Sequence, residues 1–410
     1  MRLLFVADGR SPIAQNWIQA AIEQGNEVHL ASTFPCQPII GLASLHNIPV
    51  AFSSLKAGGQ RIGARSGHLW GAPLVGFRTA FRQWLGPLTL PRAAQKLRSV
   101  VDLVQPDLVH AMRIPYEGML AALVRPPVPL LVSIWGNDFT LHAPSNPLMK
   151  RYTCLTMQAA DALHADCYRD LRLSRAWGFP SARPGVVLPG GGGVQMDQFY
   201  PPEPGSGKGT GLRNRTDLPI VINPRGFRAY VRNDSFFQAI PLVLKKQPAA
   251  RFLCTGMAGE SQVLGWLAEL EIADAVDLLP SQPRSHMAGL FRQAQVVVSP
   301  TTHDGTPNTL LEALACGCFP VVGDLESLRE WIVPGVNGLL VDPADPQSLA
   351  SAILLGLERP ELRLQAAKYN SLQVSERAAY EQVRQKAQQF YLILVQGQAK
   401  KNLPEHAPAG

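Results

Sequence analysis

The sequence has no apolar run approaching the roughly 20 residues that a helix needs to span a bilayer. Its opening stretch, MRLLFVADGR, reaches charged residues too early for a secretory signal. On this reading the chain is expected to be made and kept in the cytosol. Cysteine is scarce, with six among 410 residues, at positions 36, 154, 167, 254, 316 and 318. Cys316 and Cys318 form one C-x-C, but no second pair completes a zinc site, so reduced structural thiols are expected. The sequon at Asn214 carries no consequence in that compartment. Asp-x-Asp triplets and His clusters are also missing, and neither a metal nor a resident cofactor is expected. Acidic residues are absent from Ala51 to Val101.

What is present is a globular composition, with 46% hydrophobic residues and a formal net charge of +7. The length is enough for two domains with sizeable cores, and the charge points to an acidic partner. The apolar runs alternate with helical periodicity. RLLFVA reads as a strand buried on both faces, and DGRSP as a turn with Ser11 as N-cap and Pro12 in the first helical turn. Gly25 ends that helix. EVHLAS, PDLVHA, PLLVSIWG, DALHAD and GVVLPG follow as strands. After a linker rich in Gly and Pro, the alternation restarts with PIVINP, ARFLCTG, VDLLP, QVVVSP, CFPVVGD and GLLVD. The expected fold class is α/β, two Rossmann-like doubly wound domains facing across a cleft. The first spans 1–200, the linker 201–217 and the second 218–375. A last long helix over 376–397 is expected to pack back on the first domain. The glycines at 190–193 lack the G-x-G-x-x-G spacing and read as a flexible crossing.

The strand ends of the second domain carry the unusual chemistry. INPRGFRAYVRNDS places Arg225, Arg228 and Arg232 in one loop, where guanidinium forks suit phosphate oxygens. HDGTPNTLLE places Asp304 and Glu312 on either side of a helix start at Thr306 or Pro307. Unpaired N–H groups of Asn308, Thr309 and Leu310 there suit an anion. Phosphate at the helix start with hydroxyls on both sides is the layout of a nucleotide sugar.

The stretch HDGTPNTLLEALACGCFPVVGDLESLREWIVPGVNGLLVDPAD resembles the donor-binding segment of the retaining glycosyltransferases of family 4, the group 1 glycosyl transferases of GT-B fold. PDLVHA, IWGND and GVQMDQFYP resemble landmarks of their first domain and crossing. The resemblance implies a catalytic set of Asp304, Arg225 and Arg232. It implies a donor-binding set of Glu312, Gly305, Thr306, Asn308, Thr309, Leu310, Pro280 and Gly9, with Glu312 on the ribose and Asp304 on the transferred sugar. Asp304 stands where the family has Glu, Met112 where many members have His, and Trp135 where many have the His of His-Gly. His110 is expected to be structural.

The implied activity is transfer of a sugar from a nucleotide-sugar donor to an acceptor hydroxyl with retention, in synthesis of cell-envelope glycan, lipopolysaccharide or glycolipid. A nucleotide-sugar epimerase and a non-catalytic nucleotide-sugar-binding protein are the alternatives. The expected acceptor is a glycan or lipid-linked molecule. The acid-free segment 56–98 interleaves Lys56, Arg61, Arg65, Arg78, Arg82, Arg92, Lys96 and Arg98 with Trp70, Phe77, Phe81 and Trp84. That pattern suits an anionic membrane surface, which would make the protein peripheral on the inner face of the plasma membrane. No nucleic-acid motif accompanies the charge.

Overall fold

The computed structural model describes residues 1–51, 84–202 and 218–401. Most of the expected linker, the C-terminal tail and the residues from Lys56 to Arg82 of the basic segment lie outside them. The chain divides into two compact units, Met1–Gly192 with the chain from Arg384 onward, and Gly193–Val383. Among the described residues no helix is long and apolar enough to cross a membrane.

The first unit is built on β1 (Arg2–Ala7), β2 (Glu27–Ser32), β3 (Ser44–Asn47), β4 (Leu108–Ala111), β5 (Leu130–Ile134), β6 (Ala162–Ala165) and β7 (Gly185–Val187). All pair in parallel, in the order β3-β2-β1-β4-β5-β6-β7. β1 is sealed from water over Leu3–Ala7, as a central strand covered on both faces must be. Its helices are α1 (Pro12–Glu23), α2 (Leu90–Val104), α3 (Met119–Val124), α4 (Pro147–Ala159) and α5 (Tyr168–Ala176). Ser11 caps α1, with Pro12 at its first position, and Gly25 follows the helix with φ +77°. The sequence reading missed β3, whose residues are mostly half-buried and leave a weak apolar signal.

The second unit repeats the scheme with β8 (Ile220–Asn223), β9 (Arg251–Thr255), β10 (Val276–Leu279), β11 (Val296–Ser299), β12 (Phe319–Gly323) and β13 (Leu339–Val341). The strand order is β10-β9-β8-β11-β12-β13, again all parallel. Its helices are α6 (Asn233–Leu244), α7 (Ser261–Glu269), α8 (Arg284–Gln293), α9 (Asn308–Ala315), α10 (Glu326–Arg329), α11 (Pro346–Glu358) and α12 (Pro360–Arg377). The chain ends in α13 (Tyr380–Lys401).

Three expectations about the connections change. The glycine run is not a flexible crossing. Residues 188–194 are buried, Trp17 Nε1 donates to Gly190 O at 2.6 Å and Asn16 Nδ2 donates to Gly191 O at 3.3 Å. The chain leaves the first unit at Gly192 rather than near Tyr200, because Val194 pairs beside Ala379 and Phe199 is buried in the second unit's core. The helix expected over 376–397 is broken at Ala378–Ala379. There Val194 N–H donates to Ala378 O at 2.8 Å and Tyr380 N–H donates to Val194 O at 2.9 Å. Helical periodicity on both sides of that break hid it.

From Arg384 onward α13 belongs to the first unit, where Asn26 Nδ2 donates to Gln388 Oε1 at 2.9 Å. Deeper in the unit a polar chain crosses the sheet. His164 Nε2 meets Leu188 O at 3.0 Å, Ser133 Oγ lies 2.8 Å from both His164 Nδ1 and His110 Nε2, and His110 Nδ1 lies 2.9 Å from Tyr391 Oη. A carbonyl only accepts, so the chain has one polarity. Tyr391 O–H donates to His110, His110 to Ser133, Ser133 to His164 and His164 to Leu188. Both imidazoles are neutral in this arrangement. Burial holds His164 at about 4 and His110 well below the ordinary range.

An unfolded histidine titrates near 6.5, so below that pH the unfolded chain binds protons that the fold refuses. The histidine contribution is complete above about pH 6.5 and is lost as pH falls toward 4. The ring resonances of His110 and His164 should stay unshifted from pH 8 to pH 5. Titration of either near 6.5 would contradict the chain. Tyr391→Phe leaves His110 Nδ1 buried without a donor and should cost about 1–3 kcal/mol in a denaturant melt.

Candidate functional site

In an open parallel sheet, ligands bind outside the carboxyl ends of the strands, where the strand order reverses. In the second unit that point lies between β8 and β11. Arg225 follows β8, and Asp304 to Pro307 follow β11. The two loops are tied together. Val231 bridges Thr301 in antiparallel fashion, Arg232 N–H donates to Pro300 O and Thr302 N–H donates to Tyr230 O, both at 2.9 Å. The segment after β12 holds the β11 loop in place. Ser327 Oγ donates to Asp304 O at 2.8 Å, and Trp331 Nε1 donates to Thr306 Oγ1 at 3.1 Å. At Gly323 a Cβ would overlap the Thr301 carbonyl, so the glycine is what lets this loop lie against β12.

Arg225 is buried. Its Nη2 lies 2.5 Å from Asp304 Oδ2 and its Nη1 lies 3.3 Å from Thr309 Oγ1. Its Nε is buried without a partner. A buried cation must be paired, and here a carboxylate at the mouth of the loop does the pairing. A phosphate oxygen offers the same charge and better geometry for the fork, so the pair can exchange for an anion. α9 supplies further donors, though fewer than expected. Pro307 is its N-cap, so the helix begins one or two residues later than Thr306 or Pro307. Leu310 N–H already donates to Pro307 O at 3.0 Å, which removes it from the expected anion contacts. Thr309 N–H has no partner among the described residues.

Glu312 lies one turn further and is 5% exposed. Arg284 Nε and Nη2 lie 2.9 and 2.8 Å from the same oxygen, Oε1. Among the described residues Oε2 accepts no hydrogen bond. Burial pushes the Glu312 carboxyl up, and Arg284 pulls it back. The carboxylate can accept further hydrogen bonds through Oε2, so Oε2 is an opening for a hydroxyl-bearing ligand.

Arg284 escaped the sequence reading, although a signal existed. PSQPRS puts an arginine at the first position of α8, where the helix dipole disfavours a cation. That misplacement implies an acidic partner. The other arginines lie apart from this cluster. Arg228 Nη1 donates to Tyr230 Oη at 2.7 Å. Arg232 grips Asp234 with Nε at 2.9 Å and Nη2 at 2.7 Å, both side chains half-exposed. Gly305 and Thr306 are buried beneath the loop, and Asn308 opens α9. Pro280 is exposed after β10, its carbonyl accepting from Gln282 Nε2 at 3.0 Å. Gly226 and Gly256, at φ +66° and +68°, let the loops after β8 and β9 lie against each other, and Gly256 also faces the Ser281 side chain.

Gly9 belongs to the first unit. Its N–H donates to Ser32 Oγ at 3.1 Å, its carbonyl accepts from Gln15 Nε2 at 2.8 Å, and a Cβ would overlap Cys36 Sγ. Packing therefore accounts for this glycine. At the strand ends of the same unit, Asp138 is fully buried and pairs with Arg113 Nε at 2.9 Å, and the Arg113 guanidinium lies over the Trp135 ring. Met112 is buried. Thr33 Oγ1 donates to Glu117 Oε1 at 2.6 Å, and burial pushes that carboxyl up.

Two family models match the chain. Residues 11–191 match the glycosyl transferase 4-like domain and residues 211–373 match glycosyl transferases group 1. The chain belongs to the group 1, family 4-like glycosyl transferases. It is similar to D-inositol 3-phosphate glycosyltransferases, 29% identical over 222 residues to that of Streptosporangium roseum and 30% over 218 to that of Geodermatophilus obscurus. Each alignment covers 50% of this chain, and 49% and 47% of the respective relative. The chain thus spans about half the length of the curated relatives it matches. In fold it is similar to sucrose-phosphate synthase of Thermosynechococcus elongatus, with TM-score 0.74, 18% identity and coverage of 97% and 99% of the two chains. It is also similar to the Anabaena protein HepE in complex with UDP-glucose, with TM-score 0.68, 15% identity and coverage of 95% and 99%. These likenesses agree with two Rossmann-like α/β domains of GT-B type.

If Asp304 occupies an anion's place, neutralising it should favour the anion. Asp304→Asn should bind inorganic pyrophosphate roughly tenfold more tightly than the parent, a difference of about 1.4 kcal/mol, by calorimetry at low salt. Equal or weaker binding by the variant would show that Asp304 and the anion do not compete.

Proposed function

We propose that the protein is a glycosyltransferase that moves a sugar from a nucleotide-sugar donor to an acceptor hydroxyl with retention of configuration. The observation that carries this reading is the pairing of opposite needs about one turn of α9. Arg225 holds an exchangeable anion at the helix start, and the buried Glu312 keeps one oxygen unused. A nucleoside diphosphate offers phosphate to the first and ribose hydroxyls to the second. Asp304, released from Arg225 by the diphosphate, then accepts hydroxyls of the transferred sugar.

The transfer follows from the same groups. The acceptor oxygen attacks the anomeric carbon from the face that the diphosphate leaves. The bond to the diphosphate oxygen breaks, and a phosphate oxygen takes the acceptor proton. Arg225, the Thr309 N–H and the α9 dipole stabilise charge growing on the leaving group, a preorganised electrostatic effect. Arg232 joins them only by giving up Asp234. That exchange is cheap, because exposed ion pairs contribute at most about 1 kcal/mol. The charge on the diphosphate is assigned to these groups rather than to a metal ion.

The acceptor class we favour is a glycan or lipid-linked molecule of the cell envelope. The relatives' name, D-inositol 3-phosphate glycosyltransferase, adds a phosphorylated cyclitol to the acceptors to be screened. The experiment is a thermal-shift screen of nucleotide sugars, since a bound donor stabilises the fold by mass action, followed by turnover with acceptors and NMR assignment of the product anomer. Donor turnover without acceptor would point instead to an epimerase, and binding without any turnover to a non-catalytic binder. Glu312→Gln should weaken nucleoside diphosphate itself, whereas Asp304→Ala should weaken the nucleotide sugar relative to the diphosphate, which it leaves unchanged or tightens. Equal effects of both on both ligands would refute that division.

Contact with an anionic bilayer through 56–98 remains part of the reading. Within its described portion Trp84 and Leu88 are 54% and 62% exposed. Arg92 and Lys96 line the same shallow pocket of about 390 Å³ as Leu85 and Leu88. Apolar groups beside cations are what an anionic headgroup layer binds. Arg92→Glu with Lys96→Glu should lower flotation with anionic vesicles at low salt and leave the melting temperature unchanged. If the parent stays in the soluble fraction with those vesicles, the membrane reading fails.

A further inference from the structure

Glu312 can serve a ribose only as a carboxylate, and its burial opposes that form. The structure offers one counter-charge. Arg284, at the first position of α8, places Nε and Nη2 on Oε1 at 2.9 and 2.8 Å. Both donors use the same oxygen, so the ion pair forms without consuming Oε2. Arg284 is itself fixed from behind. Nη2 approaches Gly193 O at 3.5 Å, and the guanidinium lies 5.6 Å above the Phe199 ring. Its side chain is 34% exposed, against 6% for Glu312.

The other groups near Glu312 do not replace it. On α8, Arg292 acts on the Cys316 thiol one turn beyond Glu312 on α9, and His286 is exposed beside Arg284. The buried residues of α12, which packs against α9, are Ala366, Asn370 and Val374. Neighbouring β11 and β12 contribute apolar side chains such as Val297 and Val322 to the shared core.

We propose that Arg284 is a positioning residue of the nucleotide site, holding Glu312 as a carboxylate through Oε1 and reserving Oε2 for the hydroxyl pair of a ribose. This rests on the reading of the site as a nucleotide-sugar site. A carboxylate stripped of its cation in a buried place takes up a proton at higher pH. The protonated group no longer accepts two hydroxyls. Removing the arginine therefore moves the acid limb of ribose binding toward neutral pH without touching the diphosphate contacts.

The test is calorimetry of UDP binding between pH 5.5 and 8.5, with 2′,3′-dideoxy-UDP as the diol-free probe. Arg284→Gln should bind UDP less tightly at pH 6 than at pH 8 by ~tenfold beyond the parent's own change, the effect of one unit in Glu312 ionisation. Arg284→Lys should recover most of this, and His286→Gln should behave as the parent. The dideoxy probe should show no extra pH dependence in Arg284→Gln. If Arg284→Gln loses affinity equally at every pH, or equally for both probes, the arginine is a fold or phosphate residue and the proposal fails. Circular dichroism melts of the same variants show whether a uniform loss is unfolding. If the parent binds none of UDP, ADP and GDP, the nucleotide reading falls and takes this inference with it. A binding parent with an unmoved variant profile overturns the inference alone.

Discussion

A buried ion must have a partner, and that constraint organises the functional end of this protein. Arg225 is buried at the carboxyl end of β8 and has Asp304. Glu312 is buried within α9 and has Arg284. Asp138 is buried after β5 and has Arg113. Asp170 is buried in α5 and has Arg169. Burying such charges costs more than their pairing returns in many folds. Apolar groups would serve stability as well or better. In the proposed reading the two pairs about α9 are explained by ligand chemistry rather than by stability.

The loop after β11 shows how the fold maintains that arrangement. It carries Asp304 and the start of α9, and it would be free to move if only its own sequence held it. Instead Tyr230, Ser327 and Trp331 bond to it from neighbouring segments, and Gly323 leaves room for its backbone. The residues that place the charges are therefore spread over about a hundred positions, from the loop after β8 to the segment after β12. Strand order brings them together, because β8 and β11 are neighbours in the sheet despite their separation in sequence.

That separation also explains what could be read from the sequence. Among the described residues twelve of the thirteen strands have apolar runs that announce them, and the Ser11-Pro12 start of α1 is written in local chemistry. Arg225, Asp304 and Glu312 stand in recognisable stretches. Their pairings do not, since an ion pair between distant loops leaves no mark on either one. Arg232 looked equivalent to Arg225 because both sit in one arginine-rich loop, yet its nearest carboxylate is Asp234, two residues away. The glycines at 190–193 looked loose because glycine permits motion, but their carbonyls are bound by Trp17 and Asn16, far away in sequence. Arg284 was legible in principle as a cation at the wrong end of a helix. Finding its partner required the fold.

The two ion pairs about α9 are built in opposite senses. In the first the cation is the more buried partner, with Arg225 at 8% exposure and Asp304 at 16%. In the second the anion is the more buried, with Glu312 at 6% and Arg284 at 34%. In the first pair the more accessible member is the one an incoming ligand can replace, whereas in the second it is the one that holds the carboxylate. At the helix start the movable group is an anion, so what replaces it is an anion. One turn later the more buried member is the carboxylate, held by Arg284 through Oε1, and its other oxygen can only accept. A ligand that satisfies both must carry negative charge at one end and hydroxyl donors a few ångströms further along. In the proposed reading the diphosphate and ribose of one nucleotide supply these in the required order. Inorganic phosphate would meet only the first pair, and a free sugar only the second.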